Sequence, residues 1–365
     1  MNENRLYQVA FSLLPIPRAN EAKALLEQVG SSAVLFNNKE LQEDLQLTSS
    51  LRSPLNNGSL LKKAEEIVLR CEKEQIELTC LGDEDYPFRL AECEDAPLLL
   101  YRKGSSNLNG KLVLSIVGTR KSTPRGKALT HQLVQDLSKR CPDIIVVSGL
   151  AYGIDITAHR AAMENGLQTV AVLAHGLDFV YPEYHRYEAQ ELQKNGCLIS
   201  ELCPGTPAEP WRFLQRNRIV AGLSDACIVV ESGKQGGSLN TATRSFEYNR
   251  SVFAFPGSPG DEQSKGCNRL IKSLKATLIE NAEDVLTDLG WEPTNATRQG
   301  QQELFVTLSP TQQQIFDLIA TDGSSLNDLI VASGLSAASV ISETVQLQLT
   351  GLIESLPGNS YRRKR

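Results

Sequence analysis

The sequence predicts an α/β protein: a doubly wound, mostly parallel sheet between a helical N-terminal unit and a small helical C-terminal one. Three observations predict this. Short apolar runs between residues 114 and 257 each end in glycine or a small polar residue. Stretches of helical period separate them, so strands buried on both faces alternate with crossover helices. A polar segment at 293–306 then precedes a capping box and a fresh set of helices.

A chain of 365 residues has room for two or three domains and a full core. Its hydrophobic (41%) and charged (22%) fractions are those of an ordinary globular protein. The net charge of −6 excludes a surface coated in cations, so any polyanion must be held locally. Eight cysteines lie scattered, without a CxxC or a paired metal spacing, and Cys197 and Cys227 sit inside apolar runs. They read as buried, reduced thiols. No signal-peptide core opens the chain and no apolar run approaches the ~20 residues that span a bilayer, so a cytoplasmic protein with no membrane partner is expected.

Residues 1–78 read as a helical domain. One helix follows Pro17, a turn stands at Gly30, and another helix runs from Leu60 to Lys73 after the turn Asn56-Asn57-Gly58. The rhythm of LLPIPRANEAKALLEQVGSSAVLF is that of a SAM-like or helix-hairpin-helix unit, which holds DNA phosphates in some settings and only packs in others.

Residues 79–292 carry the sheet. The strands are LSIVG (114–118), IIVVSG (144–149), VAVLAHG (170–176), LIS (198–200), ACIVV (226–230) and VFAFPG (252–257). Helices are predicted over 126–140, 154–165, 187–195, 211–223 and 238–249. Ligands of open α/β sheets bind at the carboxyl edge. That edge gathers GTRKS (118–122), SGLAYGID (148–155), AHGLD (174–178), ESGKQGGS (231–238) and PGSPG (256–260).

Residues 293–306 read as a linker. Beyond it Ser309-Pro310-Thr311-Gln312 is a capping box with proline at the first helical position. A second helix (326–333), a Gly334 turn, a third helix (336–349) and a wing-like Gly351–Tyr361 follow, which is the plan of a winged helix over 307–365. Residues 307–361 contain no lysine or arginine. A helix entering duplex DNA needs cations for the phosphates, so this unit reads as a protein-contact module. The tail Arg362-Arg363-Lys364-Arg365 is its remaining electrostatic handle.

Three uses of the glycine loops compete. In GTRKSTPRGKA the glycine spacing is too long for a P-loop, and Ala128 stands where a magnesium-binding hydroxyl is required. No G-x-G-x-x-G lies between a strand and a helix, so a dinucleotide fold is not supported and no cofactor is implied. The remaining use is a polyphosphate backbone held by loop amides, helix N-termini and arginines. The arginines favour it: between Arg102 and Arg140 stands a run of cations against the single acid Asp136. Arg120 follows directly on a strand, and WRFLQRNRIVAGLS brings Arg212, Arg216, Asn217 and Arg218 onto one helix beside Trp211 and Phe213. The competing use of these arginines is an internal ion-pair network with Glu201 and Glu209. Trp211, Phe213, Tyr152 and Tyr181 are candidates for base stacking, core packing being the alternative for Phe213.

The site expected from the residues is therefore Gly118, Thr119, Arg120, Ser148, Gly149, Gly153, His175, Gly176, Tyr181, Gly237 and Ser238 along the rim. Arg212, Arg216, Asn217 and Arg218 join it from the helix. His159 and His175 have neither metal partners nor a nucleophile elbow, so neither reads as catalytic; His159 reads as a packed or hydrogen-bonding residue, with Asp155 capping the helix after Gly153.

Several segments in order resemble one known family. They are Asp85-Tyr86-Pro87 through Pro97-Leu98-Leu99-Leu100-Tyr101 with Gly104, then SIVGTRKSTPRG (115–126) and SGLAYGIDITAH (148–159). AHGLDFVYPEYH (174–185), RNRIVAGLSD (216–225), ESGKQGGSLNTA (231–242) and FAFPGSPGDEQSKGCNRLI (253–271) complete the set. The chain closely resembles the DprA/Smf family, the DNA-processing proteins of bacterial natural transformation. The resemblance implies an extended Rossmann-like fold that binds single-stranded DNA, forms a homodimer, and loads RecA onto strands covered by single-strand-binding protein, without enzymatic turnover. It assigns the DNA pocket to Arg120 and to Arg186, with His185 alongside. It also places a dimer contact on Leu270, Ile271, Leu274 and Leu278, for which core packing is the competing use.

Two departures from the family pattern stand out: GKQGGS stands where the resemblance implies a more compact run around GS, so a longer loop is expected at 233–238, and the wing and third helix lack cations. The alternative function is a nucleotide hydrolase of the phosphoribohydrolase type. GGSLNTATRSFE (236–247) begins like that signature but has no glutamate at the required spacing. A pure interaction scaffold and a transcriptional regulator are weaker readings.

Overall fold

The computed structural model describes residues 3–16, 19–291, 308–320, 323–349, 352–356 and 360–363. The chain forms two compact units, residues 1–295 and 296–365. The expected linker, 293–306, lies outside the described residues.

Among the described residues six helices open the first unit: α1 (Glu3–Ser12), α2 (Ala19–Val29), α3 (Ser32–Asn37), α4 (Lys39–Asp44), α5 (Ser49–Asn56) and α6 (Ser59–Glu74). The sequence predicts α2 and α6. The others span only six to ten residues, too few to display a helical period, and α3 and α4 depend on local caps. Ser31 Oγ accepts the Val34 N–H and Asn38 Oδ1 the Leu41 N–H. Val9, Leu35, Ile67 and Cys71 from these helices share a core with Tyr101, Leu150, Ala171 and Leu198 of the sheet region.

Nine strands form one sheet: β1 (Glu77–Cys80), β2 (Leu99–Gly104), β3 (Val113–Val117), β4 (Ile145–Ser148), β5 (Gln168–Val172), β6 (Cys197–Ser200), β7 (Ala226–Val229), β8 (Ser251–Ala254) and β9 (Thr277–Leu278). The order is β1-β2-β6-β5-β4-β3-β7-β8-β9. The seven strands from β6 across to β9 are parallel, and β2 joins β6 antiparallel. The six predicted runs are β3 to β8. The β1–β2 hairpin escapes prediction because Arg102, Lys103 and Gly104 end its second strand, and β9 because it is two residues long. The boundary expected at 78/79 falls inside β1.

The helices of this unit are α7 (Phe88–Ala91), α8 (Pro124–Arg140), α9 (Ile154–Glu164), α10 (Arg186–Asn195), α11 (Pro210–Gly222), α12 (Gly237–Glu247), α13 (Lys265–Lys272) and α14 (Ala282–Leu289). Helices α8 to α12 match the predicted spans to within about two residues, the usual uncertainty of a helix end. Alternate residues of β3 enter opposite layers. Leu114 and Ile116 join Leu133 and Ala158, whereas Val113 and Val117 join Val220 and Ala242. Burial on both faces explains the unbroken apolar runs. Among the described residues no disulfide joins the eight cysteines, and all but Cys203 are buried; burial pushes the Cys227 thiol up to about 11.

The chain runs outward from β3 through β4 and β5 to β6, then returns to place β7 on the other flank of β3. Connections therefore leave β3 and β7 in opposite directions, and a crevice opens at their carboxyl ends.

The second unit has α15 (Pro310–Leu318), α16 (Leu326–Ser333), α17 (Ala337–Leu349) and a sheet of β10 (Ser324–Ser325), β11 (Ile353–Leu356) and β12 (Ser360–Arg363), ordered β10-β12-β11. The predicted capping box is present: Ser309 and Gln312 exchange side-chain-to-backbone bonds. Ile315, Leu329, Val340, Leu347 and Ile353 form the core. Arg363 of the basic tail folds back, with its Nε donating to the Ile319 carbonyl and its guanidinium 4.7 Å from the Phe316 ring. Among the described residues no single helix is long and apolar enough to cross a membrane.

Candidate nucleic-acid interface

The crevice between β3 and β7 encloses about 370 Å³. Gly118 to Lys121 form one wall, Gly149, Asp155 and the Arg216 guanidinium the floor, and Phe213 and Asn217 of α11 the other wall. Gly236, Gly237 and Ser238, at the start of α12, close the end. The cap residue Gly236 brings no side chain, so the positive pole of α12 faces the crevice.

Glu231, just after β7, fixes the wall. Its carbonyl accepts the Thr119 N–H at 2.8 Å, and its carboxylate accepts both the N–H and the hydroxyl of Thr123. Thr123 Oγ1 in turn accepts the Gly126 N–H at 3.0 Å and so caps α8. The neighbouring loop presses against this one. Gly153 (φ +83°) sits on the Thr119 carbonyl with no space for a β-carbon. Leu150 also takes a positive φ (+58°); it is fully buried, and its carbonyl accepts the His185 Nδ1–H at 2.9 Å.

These contacts correct one expectation. The backbone amides of Thr119 and Gly149 and the hydroxyl of Ser148 were natural donors for phosphate, yet all are engaged internally. Ser148 Oγ donates to the Ile116 carbonyl at 2.7 Å. Gly149 and Ala151 donate their N–H groups to the Asp155 carboxylate. Asp155 therefore turns back to staple the loop, and the cap of α9 is Gly153. Burial raises the Asp155 pKa, against the pull of Arg216 and Arg120.

The arginines divide. Arg216 is buried on the floor: its guanidinium lies across Gly149, Nη1 donates to the Val172 carbonyl, and Nε has no partner. Burial pushes its pKa down to about 10, Asp155 opposing, so it stays a cation at neutral pH. Arg120 is exposed, stands 5.0 Å above the Phe213 ring and forms no ion pair among the described residues. Arg212 donates to the Pro207 carbonyl at 2.6 Å and pairs with Glu209 at 3.3 Å. Arg218 pairs with Glu201. Two residues along a helix is about 200° of rotation, so Arg218 points away from Arg216 and into a separate groove with Arg244 and Arg250. The internal network with Glu201 and Glu209 is thus real for these two. Arg186 pairs with Glu183 at 2.7 Å on the surface and does not line the crevice.

Of the other expected residues, Asn217 Nδ2 donates to the Gly237 carbonyl at 3.1 Å, which ties α11 to α12, and Ser238 Oγ donates to Ser232 Oγ of the loop after β7 at 2.9 Å. Tyr181 is half exposed, with its ring 5.8 Å from Phe213. His175 is structural: Nδ1–H donates to the Gly176 carbonyl and Nε2 accepts the Tyr181 N–H at 3.2 Å. This pattern requires the neutral ring, and burial lowers its pKa. Gly176 is buried against Cys203 and Pro204. Gly153 and His185 border an adjacent cleft rather than this crevice. Sequence reasoning missed Lys121, which lines the wall beside Arg120, and the clamp Glu231. An acid directly after a strand and opposite a Thr-Pro helix start is the signal that could have found the latter.

The matches to known proteins fall on this architecture. Residues 77–290 match the family described as DNA recombination-mediator protein A, and residues 303–359 match the DprA winged helix domain. The chain belongs to the DprA/Smf family. It is 39% identical to the DNA processing protein DprA of Streptococcus pneumoniae over 206 residues, 56% of this chain and 72% of that one. Protein Smf of Escherichia coli is 32% identical over 316 residues, covering 83% and 82%. The crystal structure of the pneumococcal DprA superposes with a TM-score of 0.62 at 31% identity, covering 79% of this chain and 98% of that chain. DNA processing protein A of Helicobacter pylori, described for its single-stranded DNA binding mode, superposes at 0.53 and 30% identity, covering 59% and 95%. As a DprA/Smf protein the chain is a DNA-processing protein of the recombination-mediator family.

Proposed function

We propose that this chain binds single-stranded DNA in the β3–β7 crevice and, as a homodimer, loads RecA onto strands covered by single-strand-binding protein. One observation carries the DNA reading: Arg120 stands unpaired over Phe213 at the mouth of a crevice placed where open α/β sheets take ligands. Lys121 adds a cation, Arg216 and the α12 N-terminus add positive potential from below, and Phe213 with Tyr181 offers rings to bases. Phosphates then meet side chains and a helix pole rather than the loop amides. Backbone and stacking contacts carry little sequence information, so the preference among bases is slight. The Helicobacter relative, described for its single-stranded DNA binding mode, supports this ligand.

The RecA and single-strand-binding-protein steps rest on family membership. The dimer rests on it and on the sheet edge beyond β8: of the four expected contact residues, Leu270 is buried and Ile271 packs on the core, while Leu274 (88% exposed) and Leu278 face outward beside β9. Leu274→Glu should leave a folded monomer in sedimentation, and an unchanged dimer would remove this edge from the interface. Two crevices on one strand raise avidity through effective concentration.

The hydrolase alternative lacks its acid. Among the described residues Asp155 is the one carboxylate lining the crevice, and it already accepts two amides; Glu247 of GGSLNTATRSFE pairs with Arg244 in the separate groove. We infer a binding protein without turnover. Titration of a labelled oligo-dT and its duplex against wild type and Arg120→Ala tests the reading.

A further inference from the structure

Arg120 and Lys121 belong to two clefts at once. Across them from the crevice lies a second cleft of about 440 Å³, bounded by α8, the first turns of α9 and the 3-10 turn Glu183–His185. Among the described residues no carboxylate lines it. Arg120, Lys121 and Lys127 enter it without an ion pair among the described residues, whereas its fourth long cation, Arg160, is held by Glu188.

Its rings are displayed rather than packed. Tyr184 is 76% and Tyr152 47% exposed, and both set an edge against His185, at 6.0 and 4.8 Å between centroids. His185 is itself buried and anchored to the Leu150 carbonyl. The two tyrosines are thus braced from below while their outer surfaces remain in water. Unpaired cations interleaved with exposed, braced rings make a surface on which bases stack and phosphates are neutralised without sequence readout.

The geometry points to a second nucleotide subsite. The strand leaving the crevice passes over Arg120 and continues into this cleft, its bases on Tyr152 and Tyr184 and its phosphates on Lys121 and Lys127. The inference rests on the single-strand reading of the crevice and adds a length requirement: the footprint exceeds what the crevice alone holds. Continuity through Arg120 favours the same strand as occupant over any separate ligand.

The test is anisotropy titration with two labelled oligo-dT probes: the shortest that the wild type holds measurably, and one of roughly 16 nucleotides. Both tyrosines are exposed, so Tyr152→Ala/Tyr184→Ala should fold; far-ultraviolet circular dichroism checks this. The double variant should bind the long probe roughly tenfold more weakly, about 1.4 kcal/mol, and the short probe as the wild type does. Tyr152→Phe/Tyr184→Phe should restore the long-probe affinity, because stacking needs the ring and not the hydroxyl. Lys127→Ala should lower the salt slope of the long probe by about 0.7 and leave that of the short one. Equal losses on both probes, or none on either, would overturn the subsite. Failure of the wild type to bind either probe would instead sink the single-strand reading beneath it.

Discussion

The guanidinium of Arg216 lies directly across the α-carbon of Gly149, leaving no space for a side chain at that position. The contact explains how a buried arginine is kept under the crevice: Val172 takes one of its N–H groups, Asp155 supplies the opposing charge, and Gly149 lets it close in. Gly149→Ala should push the guanidinium off its carbonyl. We expect about 1–3 kcal/mol of destabilisation in urea unfolding, as for overpacked cores, together with weaker binding of single-stranded DNA. Wild-type stability in that variant would mean the arginine is not held by this fit.

Arg216 and Arg218 serve opposite sides of one helix. Arg218→Ala should leave single-strand affinity within about twofold, because the side chain faces a groove away from the crevice. It should nevertheless destabilise the fold by about 1–3 kcal/mol, since Glu201 loses its partner. Burial already raises the Glu201 pKa, and loss of the arginine raises it further. A variant with full stability and lost affinity would return Arg218 to the DNA site.

His159 makes stability depend on pH. Thr169 donates its one hydroxyl proton to the Val146 carbonyl at 2.8 Å, so the 2.7 Å contact to His159 Nδ1 is donated by the ring. Nε2 is then a buried lone pair without a partner. Burial lowers the His159 pKa from 6.5 to about 3, with Arg216 acting the same way. The unfolded chain binds the proton first, so the stabilisation is complete above pH 6.5 and is lost as the pH falls towards about 3. Over that window wild type should lose about 1.4 kcal/mol per pH unit more than His159→Gln. Parallel unfolding curves for the two proteins would contradict the assignment.

Much of this was legible in the sequence, for identifiable reasons. Strands β3 to β8 announce themselves because burial on both faces forces unbroken apolar runs, and Ser309-Pro310-Thr311-Gln312 because a capping box is local chemistry. The rim position of Arg120 follows from its place directly after a strand. What a one-dimensional reading cannot supply is where polar groups find partners. Thr119, Ser148 and Gly149 look like phosphate ligands until Glu231, Ile116 and Asp155 are seen to hold them. Arg212 and Arg218 look like DNA contacts until Glu209 and Glu201 close on them. The β1–β2 hairpin hides for a related reason, since its pairing with β6 joins residues about a hundred positions apart.

The central claim, a single-strand site centred on Arg120, is tested most directly by anisotropy titration of labelled oligo-dT and its duplex with wild type and Arg120→Ala across a salt series. The account predicts single-strand-selective binding with a salt slope of about −0.7 per neutralised phosphate. It predicts that Arg120→Ala weakens binding by about tenfold or more, the loss of a charge-assisted contact. Absence of single-strand binding at low salt, or an Arg120→Ala protein that binds as the wild type does, would contradict it.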